Sequence, residues 1–98
     1  MEKIKLMQFG APTCMPCVAI KEKILEWIEV QQAKGINIEY KYISVNLEPQ
    51  MAAEAGVFTV PAIKLYIEGK VAVEDAGYFS LDGFEEKCER YLDILQQS

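Results

Sequence analysis

Two cysteines separated by two residues, Cys14-Met15-Pro16-Cys17, carry the plainest chemistry in this sequence. Thiols at that spacing can close into a disulfide and reopen in place. The pair follows an apolar, strand-like run, Ile4 to Phe9, and precedes a long helix-like one, so it sits where a helix begins. Unpaired backbone amides and the helix macrodipole favour negative charge there, and the thiolate is the reactive form of cysteine. The arrangement suits dithiol–disulfide exchange.

Composition narrows the range of functions. The chain has 98 residues, enough for one modest core, and is read as a single domain over 1–98. Its apolar fraction of 51% is that of a folded protein rather than a disordered one. A net charge of −5 and a pI near 4.7 argue against nucleic acid or an anionic membrane as partner. No apolar run is long enough to span a bilayer. The start, Met1-Glu2-Lys3-Ile4, lacks the basic and apolar regions of a signal peptide, which predicts a cytoplasmic protein. There are three cysteines, and an odd count is not a secreted disulfide framework. Histidine is absent. A zinc module would need four ligands, and one Cys-x-x-Cys supplies two, so it would have to recruit Cys88 or a second subunit. An iron–sulfur cluster bridging two chains would also use such a pair. A non-catalytic binding domain has no need of two intact thiols.

The elements that must position the pair alternate in type. Ile4–Phe9 reads as a buried strand ended by Gly10-Ala11-Pro12. Met15–Lys34 reads as a helix with Ile20, Ile24, Trp27, Ile28 and Gln31 on its inner side and Gly35 as its stop. Ile36–Val45 alternates as a strand, Pro49–Ala55 is a short helix, Val60–Ile67 and Val71–Ala76 form a hairpin, and Ser80–Gln96 is the last helix. Ser80 is a natural N-cap, with Leu81, Phe84, Cys88, Tyr91, Leu92 and Leu95 as the buried stripe. The order β-α-β-α-β-β-α begins with a right-handed βαβ unit and predicts an α/β fold, a four-stranded mixed sheet flanked by helices.

These landmarks, taken in order over nearly the whole chain, resemble the thioredoxin-like superfamily in its minimal core. A strand ends at Phe9-Gly10-Ala11, the Cys-x-Pro-Cys motif opens a helix, Gly56-Val57-Phe58-Thr59-Val60-Pro61 resembles the family's cis-proline segment, and Gly77 matches the glycine of its substrate groove. The resemblance implies a thioredoxin-like fold and a thiol–disulfide oxidoreductase. It implies no cofactor beyond the redox-active disulfide and no metal. Cys14 would be the nucleophile and Cys17, one turn further in, the shielded resolving thiol. Met15 and Pro16 would set the turn and tune the potential. Met15 brings no positive charge, so a reducing couple is expected. Thr13, Val60, Pro61 and Gly77 would line the groove, with the Val60 backbone pairing to an extended substrate. Disulfide-containing proteins are the implied substrates, a thioredoxin-reductase-type flavoprotein or glutathione the implied electron donor, and a monomer the implied state.

Four positions depart from the family. Gln8 stands where thioredoxins carry a buried aspartate, and Tyr42 where they carry its lysine partner. An amide cannot relay a proton, so resolution by Cys17 is expected to be slower and to depend on water or another group. Thr13 replaces a tryptophan and Gly10 an aromatic, which predicts a flatter, less aromatic groove. The Thr13 hydroxyl can equally serve as a helix cap. Cys88 falls in phase with the last helix's apolar stripe and reads as a core thiol, with regulatory oxidation or dimerisation through it as the sharper alternative.

Overall fold

A computed structural model describes residues 3–97. Met1 and Glu2, which open the N-terminal segment, lie outside the described residues, as does Ser98. The elements follow the expected order: β1 Ile4–Gly10, α1 Met15–Ala33, β2 Ile38–Ser44, α2 Pro49–Glu54, β3 Ala62–Ile67, β4 Lys70–Ala76 and α3 Leu81–Gln97. The sheet has four strands in the order β2-β1-β3-β4. β1 runs parallel to β2 and antiparallel to β3, and β3 runs antiparallel to β4. This is the mixed sheet that a βαβ unit followed by a hairpin must make.

β1 is central and covered on both faces. Its even-numbered residues, Ile4 and Leu6, pack with Ile24, Trp27 and Ile28 of α1 and with Phe84, Cys88 and Leu92 of α3. Its odd-numbered Phe9 packs in a smaller cluster with Ile43, Ala52 of α2, Val57 and Ala62. The period of two along the strand thus assigns α1 and α3 to one layer and α2 to the other.

Local chemistry sets most boundaries. β2 starts at Ile38 rather than Ile36, because the Ile36 amide is spent closing α1. It donates to the Gln31 carbonyl at 3.0 Å, and Gly35 donates to Gln32 at 2.9 Å. Gly35 has φ 88°, so the helix ends in a Schellman motif. α2 ends the same way, with Gly56 at φ 73° and Val57 donating to Ala52 at 2.8 Å. The buried Lys64 of β3 holds this helix end by donating to the Ala55 carbonyl at 2.5 Å, and it pairs with Glu74 at 3.2 Å. A cation at a helix C-terminus also meets the negative end of the dipole. β3 begins at Ala62 rather than Val60, since Pro61 has no N–H to give to the sheet. Ser80 caps α3, its hydroxyl accepting from the Gly83 amide at 3.1 Å. One residue of the expected α3 stripe is displaced: Tyr91 is 46% exposed. It lies at the edge of the stripe, over Ala72 and Val73 of the outer strand β4, where no further layer covers it.

Candidate active site

Four chain segments meet at one end of the sheet. β1 ends at Gly10 and β2 at Ser44, its register partner. β3 starts at Ala62, opposite Phe9, and β4 ends at Ala76, opposite Ala62. The residues just beyond these ends are therefore neighbours: Ala11 to Cys14, Val60-Pro61, and Gly77.

After Gly10 the chain reverses through Ala11-Pro12-Thr13-Cys14, closed by the Cys14 amide donating to the Ala11 carbonyl at 3.0 Å. Proline at the second position of such a turn presets its backbone angle. Cys14 is then the N-cap of α1, with Pro16 in the first turn, where its missing N–H costs nothing. Thr13 does not cap the helix. No side-chain cap is present at this end, because the turn places Cys14 at the capping position and leaves Thr13 exposed before it. The first turn of α1 contains no acidic residue to oppose a thiolate.

Cys14 and Cys17 are joined by a disulfide, their Cα atoms 5.4 Å apart. The two sulfurs are unequally placed. Cys14 is half-buried, whereas Cys17 is 2% exposed. Met15 between them is 84% exposed, an apolar side chain directly beside the outer sulfur.

The Val60–Pro61 peptide bond is cis. Both residues are half-buried, and the Pro61 carbonyl accepts from the Gly77 amide at 2.8 Å. Gly77 has φ 72°, a conformation that disfavours any side chain. A β-carbon there would stand 3.6 Å from Thr59 Cγ2, so the two loops lie side by side.

Beneath the cysteines the departures from the family form a connected set. Gln8 is fully buried. Its Nε2 donates to the Cys17 carbonyl at 2.9 Å, and its Oε1 accepts from the Tyr40 hydroxyl at 2.7 Å. Gln8 and Tyr42, the two positions that lack the family's charges, do not hydrogen-bond to each other. Tyr42 is the register partner of Gln8, but the hydroxyl that reaches the amide belongs to Tyr40, two residues back on the same face. Tyr42 instead extends to the strand end. A β-carbon built on Gly10 would overlap its hydroxyl and come within 2.8 Å of Cys17 Sγ.

The Tyr40 phenol is pushed up to about 12, first by burial and then by neighbouring Tyr42. It stays protonated and donating at neutral pH. Because this value lies above the ordinary 10.0, the hydroxyl's contribution to stability is intact below that pH and is lost as pH rises toward about 12. Denaturant midpoints should fall over that interval, and the fall should be shallower in Tyr40→Phe. Equal slopes in the two proteins would assign the loss to other groups.

Two exposed aromatic residues flank the groove landmarks in sequence. Phe58, just before Thr59 and Val60, is 87% exposed, and Tyr78, just after Gly77, is fully exposed. Both residues abut landmarks legible in the sequence, but their exposure was not. Cys88 is fully buried in the α1/α3 core, and burial followed by nearby Glu85 pushes its thiol far up. Among the described residues no group of three or more His, Cys, Asp or Glu converges as metal ligands, and no helix is long and apolar enough to cross a membrane.

Comparisons with known proteins agree with this geometry. The family model named Thioredoxin matches residues 1–90. A thioredoxin of Methanocaldococcus jannaschii is 35% identical over 63 residues, covering 64% of this chain and 71% of that protein. Thioredoxin-2 of Pyricularia oryzae is 35% identical over 75 residues, which span 76% of this chain but only 42% of that longer protein. The structure of thioredoxin 1 from Thermosipho africanus superposes with a TM-score of 0.84 at 27% identity, covering 94% of this chain and 98% of that one.

Proposed function

The chain belongs to the thioredoxin family, and from that premise we propose that it reduces protein disulfides by cycling Cys14 and Cys17 between dithiol and disulfide. One observation carries the proposal: a cysteine pair at the start of α1 in which Cys14 is half-buried and Cys17 is 2% exposed. That asymmetry supports a division of roles. The Cys14 thiolate, facing solvent at a helix N-terminus, attacks a substrate disulfide and forms a mixed disulfide. Cys17, too buried to meet a substrate, attacks Cys14 from within and releases the reduced product.

The surroundings support a polypeptide substrate. In this reading the Val60 backbone, just ahead of β3 and beside Pro61, pairs with an extended substrate segment next to Cys14. Met15, Phe58 and Tyr78 offer apolar surface around it, where burial on binding is favourable. Pro16 and Met15 set the turn without adding charge, which favours a reducing couple. In this reading the protein acts as a monomer in the cytoplasm, and a thioredoxin-reductase-type flavoprotein returns it to the dithiol.

Insulin reduction tests the proposal, with electrons supplied either by NADPH and a thioredoxin reductase or by glutathione. The expected result is sustained turnover in the reductase arm and none with Cys14→Ser in either arm. Failure of both arms with the unsubstituted protein would contradict the proposal.

A further inference from the structure

We infer that the Tyr42 hydroxyl is the hydrogen-bond donor that stabilises the Cys17 thiolate during the resolving step. The inference rests on the exchange chemistry proposed above and adds a residue to it.

The Gln8 amide nitrogen gives one N–H to the Cys17 carbonyl and its oxygen accepts from the Tyr40 hydroxyl, which orients the side chain toward the Cys17 backbone. Tyr42 is the polar side chain that shares the space over Gly10 with Cys17 Sγ. One added β-carbon at Gly10 would meet both groups, overlapping the hydroxyl and lying 2.8 Å from the sulfur. Glycine at this strand end therefore has a purpose beyond backbone freedom: it leaves room for a phenol beside the inner sulfur. The ring is also held, since Lys21 Nζ of α1 lies 5.6 Å from its centroid, within range of a cation–π contact.

The step balances as follows. In the mixed disulfide Cys17 gives its proton to water. Its thiolate accepts a hydrogen bond from Tyr42 O–H and attacks Cys14 Sγ. The Cys14–Cys17 bond forms as the bond from Cys14 to the substrate sulfur breaks. The electron pair leaves on the substrate sulfur, which takes a proton from water. The substrate gains two electrons and the cysteine pair loses them. The phenol keeps its own proton throughout.

Reaction of the reduced full chain with 5,5′-dithiobis(2-nitrobenzoate) separates the two steps. A first thionitrobenzoate release depends on reagent concentration and reports attack by Cys14. A second is independent of concentration and reports resolution by Cys17. Loss of a hydrogen bond to a charged group predicts that Tyr42→Phe slows the second release about tenfold. The midpoint of its pH profile should move up by about one unit. The first release shows whether the fold and the nucleophile survive the substitution. A second release with unchanged rate and pH midpoint would overturn the role of Tyr42 alone. A reduced, unsubstituted protein that shows no second release would overturn the dithiol chemistry and this inference together.

Discussion

Cys17→Ser is expected to turn a catalyst into a trap. With the inner sulfur gone, Cys14 can still attack a substrate disulfide, because its exposure and its place at the N-terminus of α1 are unchanged. The mixed disulfide then has no internal nucleophile to open it. Serine presents a hydroxyl that stays protonated where a thiol would not, and the remaining cysteine, Cys88, is sealed in the core between α1 and α3. Multiple-turnover reduction should drop to the rate without protein, while a one-to-one adduct accumulates on the chain and is released by added dithiothreitol. Cys14→Ser should lose turnover without accumulating the adduct. The two variants fail differently only if the thiols have different tasks. Matching behaviour, whether both trap or neither does, would contradict the division of labour between them.

Gln8→Leu is expected to be the most destabilising single change beneath the site. Leucine fills similar space, so little of the effect comes from a cavity. The loss is polar: a buried donor to the Cys17 carbonyl and a buried acceptor for Tyr40 disappear together. Two partners left wanting cost about 2–4 kcal/mol. For a domain of this size that lowers the thermal midpoint on the order of 10–25 °C. Because Gln8 ties the first turn of α1 to the central strand, the oxidised and reduced forms should both be affected. A melting temperature equal to that of the unsubstituted protein would mean that the buried amide contributes nothing.

What could be read in advance follows the range of the interactions involved. The cysteine motif, the glycine that ends α1, the Ser80 cap and the alternation in β1 are local, and each carries its reason in neighbouring residues. The glycine stops at 35 and 56 close Schellman motifs of the sort that spacing suggests. Even the compensation at Gln8 and Tyr42 was half legible, since neither leaves a lone buried charge. The partner of Gln8 was not. It depends on the parallel register of β1 with β2 and on tyrosine side chains that reach diagonally across it, which no single segment encodes. The same holds for Gly10. As a missing aromatic it suggested a bare groove, yet its missing β-carbon is what admits the Tyr42 hydroxyl next to Cys17. Thr13 does not cap α1, because the turn that precedes the helix puts Cys14 at the N-cap position. Phe58 and Tyr78 stand in loops, where no periodic pattern states which side chains face solvent, and both are exposed.

The most direct measurement of the central claim is the order in which the cysteines of the reduced protein react with a limiting amount of iodoacetamide, with the labelled peptides identified by mass spectrometry. The structure predicts carbamidomethylation at Cys14 first, with Cys17 and Cys88 labelled only after the protein is unfolded. Labelling of Cys17 or Cys88 before Cys14, or of all three at one rate, would contradict an account in which Cys14 is the accessible nucleophile of a buried-partner dithiol.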